Sequence, residues 1–317
     1  MAARGTMPLP QAVLDGLRGI AILWVLAFHL SWLTALQLRL SLSSHTVDLT
    51  YLLRSGWLGV ELFFFISGFC IFYPYTQHRF GYRPRQTVSD FALRRAFKIF
   101  PSYYLSLVVV IVLGPFLFFP SRNIFWQAIS HVFFAFNFSS ATTTALNGVL
   151  WSLAIEVQFY VLFPLICLAF ERSAAVTFVA MSAIAVLYRF WSSACCDTTS
   201  AVRYQLPAFL DFFACGMLAS LIFSYGMSRG INTEGSSKAW WTLASVASLT
   251  AVIVLVRYVP DAIGRGDALF YLAAAFLILA VTTAFSKSWW QGIFSNKILV
   301  FLSLFPTICT FITSSSQ

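Results

Sequence analysis

Long apolar runs separated by short polar segments follow one another along the whole chain. Each run approaches the roughly 20 residues that an α-helix needs to cross the hydrocarbon core of a bilayer. The runs are centred on residues 19–36, 57–76, 102–120, 149–170, 174–191, 206–225, 240–258, 268–285 and 298–313. The pattern therefore predicts an all-α fold, a polytopic transmembrane bundle of about nine to ten helices.

The segments that connect these runs are short, and none carries a second hydrophobic core. We therefore predict a single transmembrane domain over residues 1–317. The least regular connection, residues 121–148, is typical of a re-entrant or interfacial helix followed by a polar loop. Such a loop is in a position to cover the opening of a site.

Composition and charge agree with a membrane protein. Of the 317 residues, 59% are hydrophobic and 10% are charged, and the mean hydropathy is +0.81. A water-soluble core of ordinary composition does not bury that much apolar surface. The formal charge of +9 follows topology, because most Lys and Arg residues fall on one side when the N-terminus is placed in the cytoplasm. We expect a multi-pass protein of the cell membrane, surrounded by lipids, with a cytoplasmic N-terminus and Arg189 in an outer loop.

Two classes of ligand are not indicated. No basic stretch interleaves with aromatic residues on a soluble segment, so we expect no nucleic-acid partner. The six cysteines show no metal-ligand spacing, and most fall inside apolar runs, where a thiol packs as a small apolar group. We therefore predict no metal site.

Arg18 and His29 lie inside the first apolar run, DGLRGIAILWVLAFHL, and ten residues separate them. Eleven steps of roughly 100° return to nearly the same azimuth, so both side chains share one helix face about three turns apart. Ionisable groups inside a membrane span are costly and usually line a pathway or a site. The alternative is that Arg18 is a juxtamembrane anchor and His29 a packing histidine bonded to a neighbouring helix.

Three cations converge before the third long run, in VSDFALRRAFKIFPSYY. Ser89 is a plausible cap for a helix that ends against Pro101. The cations are Arg94, Arg95 and Lys98. Such a cluster can hold phosphates, but from these residues alone a topology signal or a contact with anionic lipid is the simpler interpretation.

Two acids interrupt later apolar runs. Glu156 in LWSLAIEVQFYVLFPL shares a helix face with Ser152, and a buried acid of this kind must be protonated, paired or in contact with water. Arg18 or His29 is the partner we expect, and a purely structural ion pair is the alternative. Asp211 in LPAFLDFFACGMLASLIF is the weaker functional candidate.

In order along residues 14–220, five segments resemble the membrane-bound acyltransferase-3 family, which includes polysaccharide and O-antigen O-acetyltransferases. The five segments are LDGLRGIAILWVLAFH, VELFFFISGFCIF, RRAFKIFPSYY, LWSLAIEVQFYVLFP and LPAFLDFFACGMLAS. The first carries the family's pattern of an arginine, ten residues and a histidine.

The resemblance implies transfer of an acyl group, usually acetyl, from acyl-coenzyme A to a hydroxyl of a carbohydrate or lipid-linked glycan. Acetyl-CoA is then a co-substrate, and no cofactor is bound permanently. The implied catalytic residues are His29, Arg18 and Glu156, with His29 either a general base or the carrier of a transient acyl group. The implied donor-binding residues are Arg94, Arg95 and Lys98, and the implied supporting residues are Asp15, Ser67 and Ser152.

Two departures from the family pattern stand out. Lys98 occupies a position where the family often has a second arginine, which keeps the charge but loses bidentate geometry. After about Ser303 the expected Ser-Tyr, Leu-Tyr-Leu and His pattern is missing, so we expect an incomplete C-terminal helix. Besides an active enzyme, the alternatives are an inactive truncated member of the family and a proton-coupled transporter that uses the same intramembrane charges.

Overall fold

The chain is almost entirely helical in the parts that the computed structural model describes, which are residues 11–42, 45–117, 124–143, 146, 148, 150–197, 200–231, 236–258, 268–286 and 289–303. The long helices are α1 (Gln11–Thr34), α3 (Leu58–Arg79), α4 (Val88–Leu117), α7 (Trp151–Arg172), α8 (Ala174–Cys195), α9 (Leu210–Ser228), α10 (Ser236–Tyr258) and α11 (Leu269–Ser286). The short helices are α2 (Thr50–Arg54), α5 (Ile124–Val132), α6 (Ser140–Thr143), α12 (Trp289–Phe294) and α13 (Lys297–Leu302). Three 3₁₀ turns cover Phe136–Phe138, Ala201–Tyr204 and Leu206–Phe209.

The prediction of an all-α transmembrane bundle is confirmed. Within the described residues, eight helices are long and apolar enough to cross a membrane, and each overlaps one of the predicted runs. The exception to the helical architecture is a short antiparallel hairpin of β1 (Arg39–Leu42) and β2 (His45–Asp48). The ninth predicted run, 298–313, begins in α13, and residues 304–317 lie outside the described part of the chain, together with most of the expected C-terminal departure.

Helices α3 and α9 form the centre of the bundle and run parallel. Phe64 stacks on Phe213 with ring centroids 5.1 Å apart, and about three turns later Thr76 Oγ1 lies 2.7 Å from Ser224 Oγ. Three candidate spans, α4, α7 and α8, separate the two helices in the described sequence, and each reverses the chain direction. Three intervening spans leave α3 and α9 parallel, whereas a fourth span at α5 would make them antiparallel. The parallel packing therefore agrees with α5 not crossing the membrane.

Two glycines allow these helices to approach closely. A Cβ atom at Gly68 would collide with the backbone of Phe213, and one at Gly216 would collide with the backbone of Phe65. Small residues at such crossings let two backbones pack in the absence of a hydrophobic driving force between helices in lipid.

Helix α4 begins and ends at different residues from those expected. Thr87 Oγ1 accepts a hydrogen bond from the Asp90 backbone N–H at 3.1 Å, so Thr87, not Ser89, caps the first turn. The helix also continues through Pro101 to Leu117. A proline inside a transmembrane helix is tolerated where neighbouring groups satisfy the freed backbone carbonyl, so the expected end at Pro101 is wrong.

The irregular stretch 121–148 contains a nine-residue helix, α5, that is too short to cross a bilayer. Tyr103 and Tyr104 of α4 fasten it by donating to the carbonyls of His131 and Val132 at 2.8 and 3.0 Å. His131 is buried against Phe136, with ring centroids 4.0 Å apart, and this burial lowers its pKa. Residues 121–123, 144, 145 and 147 lie outside the described part of the chain, and a covering role for this stretch stays a prediction.

Arg189 forms a buried ion pair with Asp211. Its guanidinium contacts both carboxylate oxygens, at 3.0 and 2.6 Å, and also donates to the Ala208 carbonyl at 2.6 Å. The expectation that Arg189 lies in an outer loop is wrong, because α8 extends to Cys195 and buries this side chain inside the bundle. Asp211 is therefore a structural partner that joins α8 to α9.

We expect Gly216→Ala to destabilise the fold by about 1–3 kcal/mol, since its methyl group forces α3 and α9 apart. The matched control is Gly292→Ala, because a Cβ there meets no atom within 4 Å. Thermal unfolding in detergent micelles measures both variants. Equal melting temperatures for the two variants would contradict the close α3–α9 contact.

Asp211→Asn should destabilise the protein by about 3–5 kcal/mol, because it leaves the Arg189 guanidinium buried without its counter-charge. Asp90→Asn makes the same chemical change at an exposed carboxylate and should shift stability by less than about 1 kcal/mol. The combined replacement Arg189→Met and Asp211→Leu should recover most of the lost stability. Thermal unfolding that ranks the combined variant below Asp211→Asn would argue against a structural ion pair.

Candidate active site

Four helices, α1, α3, α4 and α7, bring their polar side chains together inside the bundle. The residues are Asp15, Arg18, Ser67, Cys70, Arg95, Lys98, Glu156 and Tyr160. We call this group the inner polar cluster. Six of its eight members were singled out from the sequence, so the structure gathers side chains from four separate predicted segments.

Arg18 is held at two points. Its guanidinium donates to Asp15 Oδ1 at 2.8 Å, one turn earlier on α1, and to Cys70 Sγ on α3 at 3.1 Å. The Arg18 side chain keeps 25% of its surface exposed, so these contacts orient a cation that a ligand can still reach. The predicted supporting residue Asp15 thus touches the predicted catalytic residue Arg18.

Glu156 binds two hydroxyl groups through one oxygen. Ser67 on α3 donates to Glu156 Oε1 at 2.5 Å, and Tyr160 donates to the same oxygen from one turn later on α7. Two donors on one carboxyl oxygen fix the direction of the side chain and link α3 to α7. Ser152 is the third predicted supporting residue. It is half-buried on α7, one turn before Glu156.

The cations of α4 form the most exposed edge of this cluster. The Arg95 guanidinium lies over the rings of Phe91 and Tyr160, 5.8 and 5.3 Å from their centroids. Lys98 is exposed, and its ammonium group interacts electrostatically with Arg95. Arg94 is exposed as well. The three predicted donor-binding cations therefore lie within the first three turns of one helix, beside the polar groups around Tyr160.

His29 lies apart from the inner polar cluster. Eleven residues of continuous helix place it about 16 Å along α1 from Arg18, roughly half the thickness of a bilayer core. Its Nδ1 atom lies 2.8 Å from the Val25 carbonyl oxygen. Since a carbonyl only accepts hydrogen bonds, Nδ1 carries the proton and Nε2 is the basic nitrogen. The ring is half-buried and therefore combines a fixed tautomer with access.

The expected pairing of Glu156 with Arg18 or His29 is wrong. Within the described residues each of the three groups has other partners: Glu156 has two hydroxyls, Arg18 has Asp15 and Cys70, and His29 has its own backbone. Sequence reasoning missed Tyr160 and Cys70. A signal for Tyr160 existed, because it lies four residues after Glu156 on the same helix face.

The arrangement offers two kinds of chemistry at two depths. The inner polar cluster combines three cations with oriented hydroxyl and carboxyl groups, which suits binding of a phosphorylated ligand. The far half of α1 offers an imidazole whose Nε2 atom is the one placed to exchange a proton.

Comparison with known proteins identifies the family. The family model described as an acyltransferase domain matches residues 11–312, almost the entire chain. The chain belongs to this acyltransferase family. The resemblance predicted from five short segments is thereby confirmed, and the match includes the inner polar cluster and His29.

Several curated members of the acyltransferase family are similar to this chain. Peptidoglycan O-acetyltransferase OatA of Listeria monocytogenes is 25% identical over 307 residues, which cover 90% of this chain and 46% of OatA. Putative O-acetyltransferase SACOL0978 of Staphylococcus aureus is 24% identical over 314 residues, which cover 91% of this chain and 48% of the relative. Putative peptidoglycan O-acetyltransferase YrhL of Bacillus subtilis is 30% identical over 166 residues, 48% of this chain and 23% of YrhL.

The chain thus spans about half the length of the first two of these relatives. No solved structure matches it.

The contact between Ser67 and Glu156 can be tested by a double-mutant cycle on stability. Ser67→Ala and Glu156→Ala should show a coupling free energy of about 0.5–3 kcal/mol, because they remove the donor and the acceptor of one hydrogen bond. Ser67→Ala and Tyr104→Phe lie in separate contacts and should be additive within about 0.5 kcal/mol. Chemical unfolding in mixed micelles gives the four free energies, and additivity of the first pair would refute the contact.

Proposed function

We propose that this protein is an integral membrane O-acyltransferase that moves an acyl group, most simply acetyl, from acyl-coenzyme A to a hydroxyl of a carbohydrate or lipid-linked glycan. The observation that carries the proposal is the placement of two sites on one family-defining helix, α1. Cations gather around Arg18 at one depth, and His29 lies about 16 Å away with its Nε2 atom available.

The donor is bound, in this proposal, at the cytoplasmic end of the inner polar cluster, with the N-terminus of the chain in the cytoplasm. Arg94, Arg95 and Lys98 bind the phosphates of acyl-CoA, with the planar arginine forks taking oxygen pairs and Lys98 acting as a point charge. Arg95 is suited to this because its stacking on Tyr160 restricts its guanidinium before the donor arrives.

The acyl end of the donor then extends along α1 toward His29. Arg18 lies between the phosphates and His29, so its role is to hold the donor rather than to stabilise charge at the reacting carbonyl, which is half a bilayer away. Glu156, Ser67 and Tyr160 keep the wall of this path in one arrangement.

His29 acts as a general base in the transfer step. Its Nε2 atom removes the proton of the acceptor hydroxyl, the oxygen attacks the acyl carbonyl carbon, and the carbon–sulfur bond breaks to release CoA as a thiolate. The Val25 carbonyl stabilises the imidazolium that forms, because it already accepts the Nδ1 proton. A route through an acyl-imidazole at Nε2 uses the same atom.

The names of the relatives support a carbohydrate hydroxyl as the acceptor, since OatA and YrhL are named for peptidoglycan. The uncrosslinked glycan of a cell wall, or its lipid-linked precursor, is therefore the first acceptor to test.

The test measures CoA release from acetyl-CoA by the protein in lipid nanodiscs, with and without glycan acceptors. His29→Gln should lower acceptor-dependent release at least about hundredfold while acetyl-CoA still binds by calorimetry. His78→Gln, an exposed histidine at the opposite end of the bundle, is the matched control and should behave as wild type. Arg95→Gln should instead weaken acetyl-CoA binding about tenfold.

Each opposite result would count against a stated part of the proposal. Normal CoA release by His29→Gln would show that His29 is not the general base. Unchanged acetyl-CoA binding by Arg95→Gln would show that the donor does not bind at this cluster. Proton flux without CoA release in proteoliposomes would make the protein a transporter.

A further inference from the structure

A polar cavity of about 350 Å³ opens beside the end of α1 at which His29 lies. Its lining residues are Gln37, Arg39, Asp48, Thr50, Tyr51, Arg54 and Arg257. They come from the segment after α1, from the β-hairpin, from the start and body of α2 and from the end of α10, so none belongs to the inner polar cluster. Among these lining groups three are guanidinium cations and one is a carboxylate, which leaves the cavity positive.

The hairpin and α2 form one connected wall. Arg39 and Asp48 are register partners on the two strands. The Thr50 backbone N–H donates to Asp48 Oδ1 at 2.8 Å, while the Thr50 hydroxyl accepts from the Leu38 backbone N–H at 3.1 Å. Hydrogen bonds from Thr50 hold the pKa of Asp48 below its usual range, and the positive charges of Arg39 and Arg257 add to that shift. Asp48 therefore stays ionised and partly balances Arg39, which lies 3.9 Å away.

Asp48 lies within ion-pair distance of Arg39, so the positive charges of Arg257 and Arg54 are the ones left for a ligand. The Arg257 guanidinium stacks on Tyr51 and Tyr258, 5.2 and 5.6 Å from the ring centroids, which restricts its position and leaves its N–H groups exposed. Arg54 is exposed at the end of α2. Each of these guanidinium groups is a planar fork that can bind a carboxylate or phosphate through paired hydrogen bonds, and the two line the cavity from different elements.

The cavity lies at the His29 end of the bundle. Trp24 Nε1 on α1 donates to the Leu52 carbonyl of α2 at 2.6 Å, only five residues before His29. Gly56, just after α2, packs against Trp24 and Phe28. With the N-terminus in the cytoplasm this is the outer end, where the positive-inside rule disfavours basic residues. Three arginines on this side need an explanation other than topology.

We propose that this cavity binds an oxyanion group, a carboxylate or a phosphate, of the acceptor glycan and so brings the neighbouring hydroxyl to His29. The inference rests on the proposed function, because it names the class of acceptor. Neutral glycans lack the group that Arg54 and Arg257 recognise, so the acceptor is an anionic glycan.

Binding is measured without acyl-CoA, by calorimetry on the full chain in phosphatidylcholine nanodiscs. The probes are a hexosamine disaccharide with one carboxylate, its amide, and the same disaccharide with a phosphate monoester. Wild type should bind at least one of the two anionic probes about tenfold more tightly than the amide. Arg257→Gln and, independently, Arg54→Gln should abolish that preference, whereas the control Arg83→Gln, an exposed guanidinium beyond the opposite end of α3, should keep it.

The outcomes separate the two proposals. Equal binding of the amide and both anionic probes overturns the oxyanion site, even if CoA release shows that acyl transfer occurs. A preference that needs Arg257, in a protein that releases no CoA with any acceptor, keeps the site and overturns the proposed function. Loss of disaccharide binding when phosphatidylglycerol is added to the nanodiscs would assign the cavity to a lipid headgroup and overturn an acceptor site.

Discussion

Close backbone contact between α3 and α9 is the constraint on which the rest of the bundle depends. Gly68 faces α9, and Gly216 faces α3, so neither helix can rotate without a collision. Ser67 and Cys70 lie on other faces of the same turn of α3, and this locked rotation directs them toward Glu156 and Arg18. The inner polar cluster is thus positioned by a backbone contact at two glycines, which are not themselves members of the cluster.

Helix α1 sets the separation between donor chemistry and proton-transfer chemistry. Its 24 residues contain both Arg18 and His29, and an unbroken helix keeps them at a fixed distance and on one face. The polar cluster is assembled from four helices, but His29 depends mainly on its own turn, through Val25. Damage to helix packing therefore disturbs the Arg18 side more readily than the imidazole.

Local pattern was sufficient to predict the spans and the presence of Arg18, His29 and Glu156 inside them, because hydropathy and helix periodicity are properties of consecutive residues. It was not sufficient to predict partners. Glu156 takes its hydrogen bonds from Ser67 and Tyr160, and Arg189 takes its counter-charge from the next helix; both depend on how helices rotate against each other. Pro101 shows a different limit. In a soluble protein a proline usually ends a helix, but inside a membrane a helix can continue where neighbouring groups hydrogen-bond the freed backbone carbonyl.

The ion pair between Arg189 and Asp211 also has a consequence for biogenesis. A lone arginine inside a span costs up to about 2.5–3.5 kcal/mol at the bilayer centre on insertion scales. Helix α8 precedes α9 in the chain, so Arg189 reaches the membrane before Asp211 does. We expect α8 to be stably integrated only together with α9, as a hairpin whose two charges neutralise each other. This pair of side chains therefore makes the integration of α8 depend on the helix that follows it.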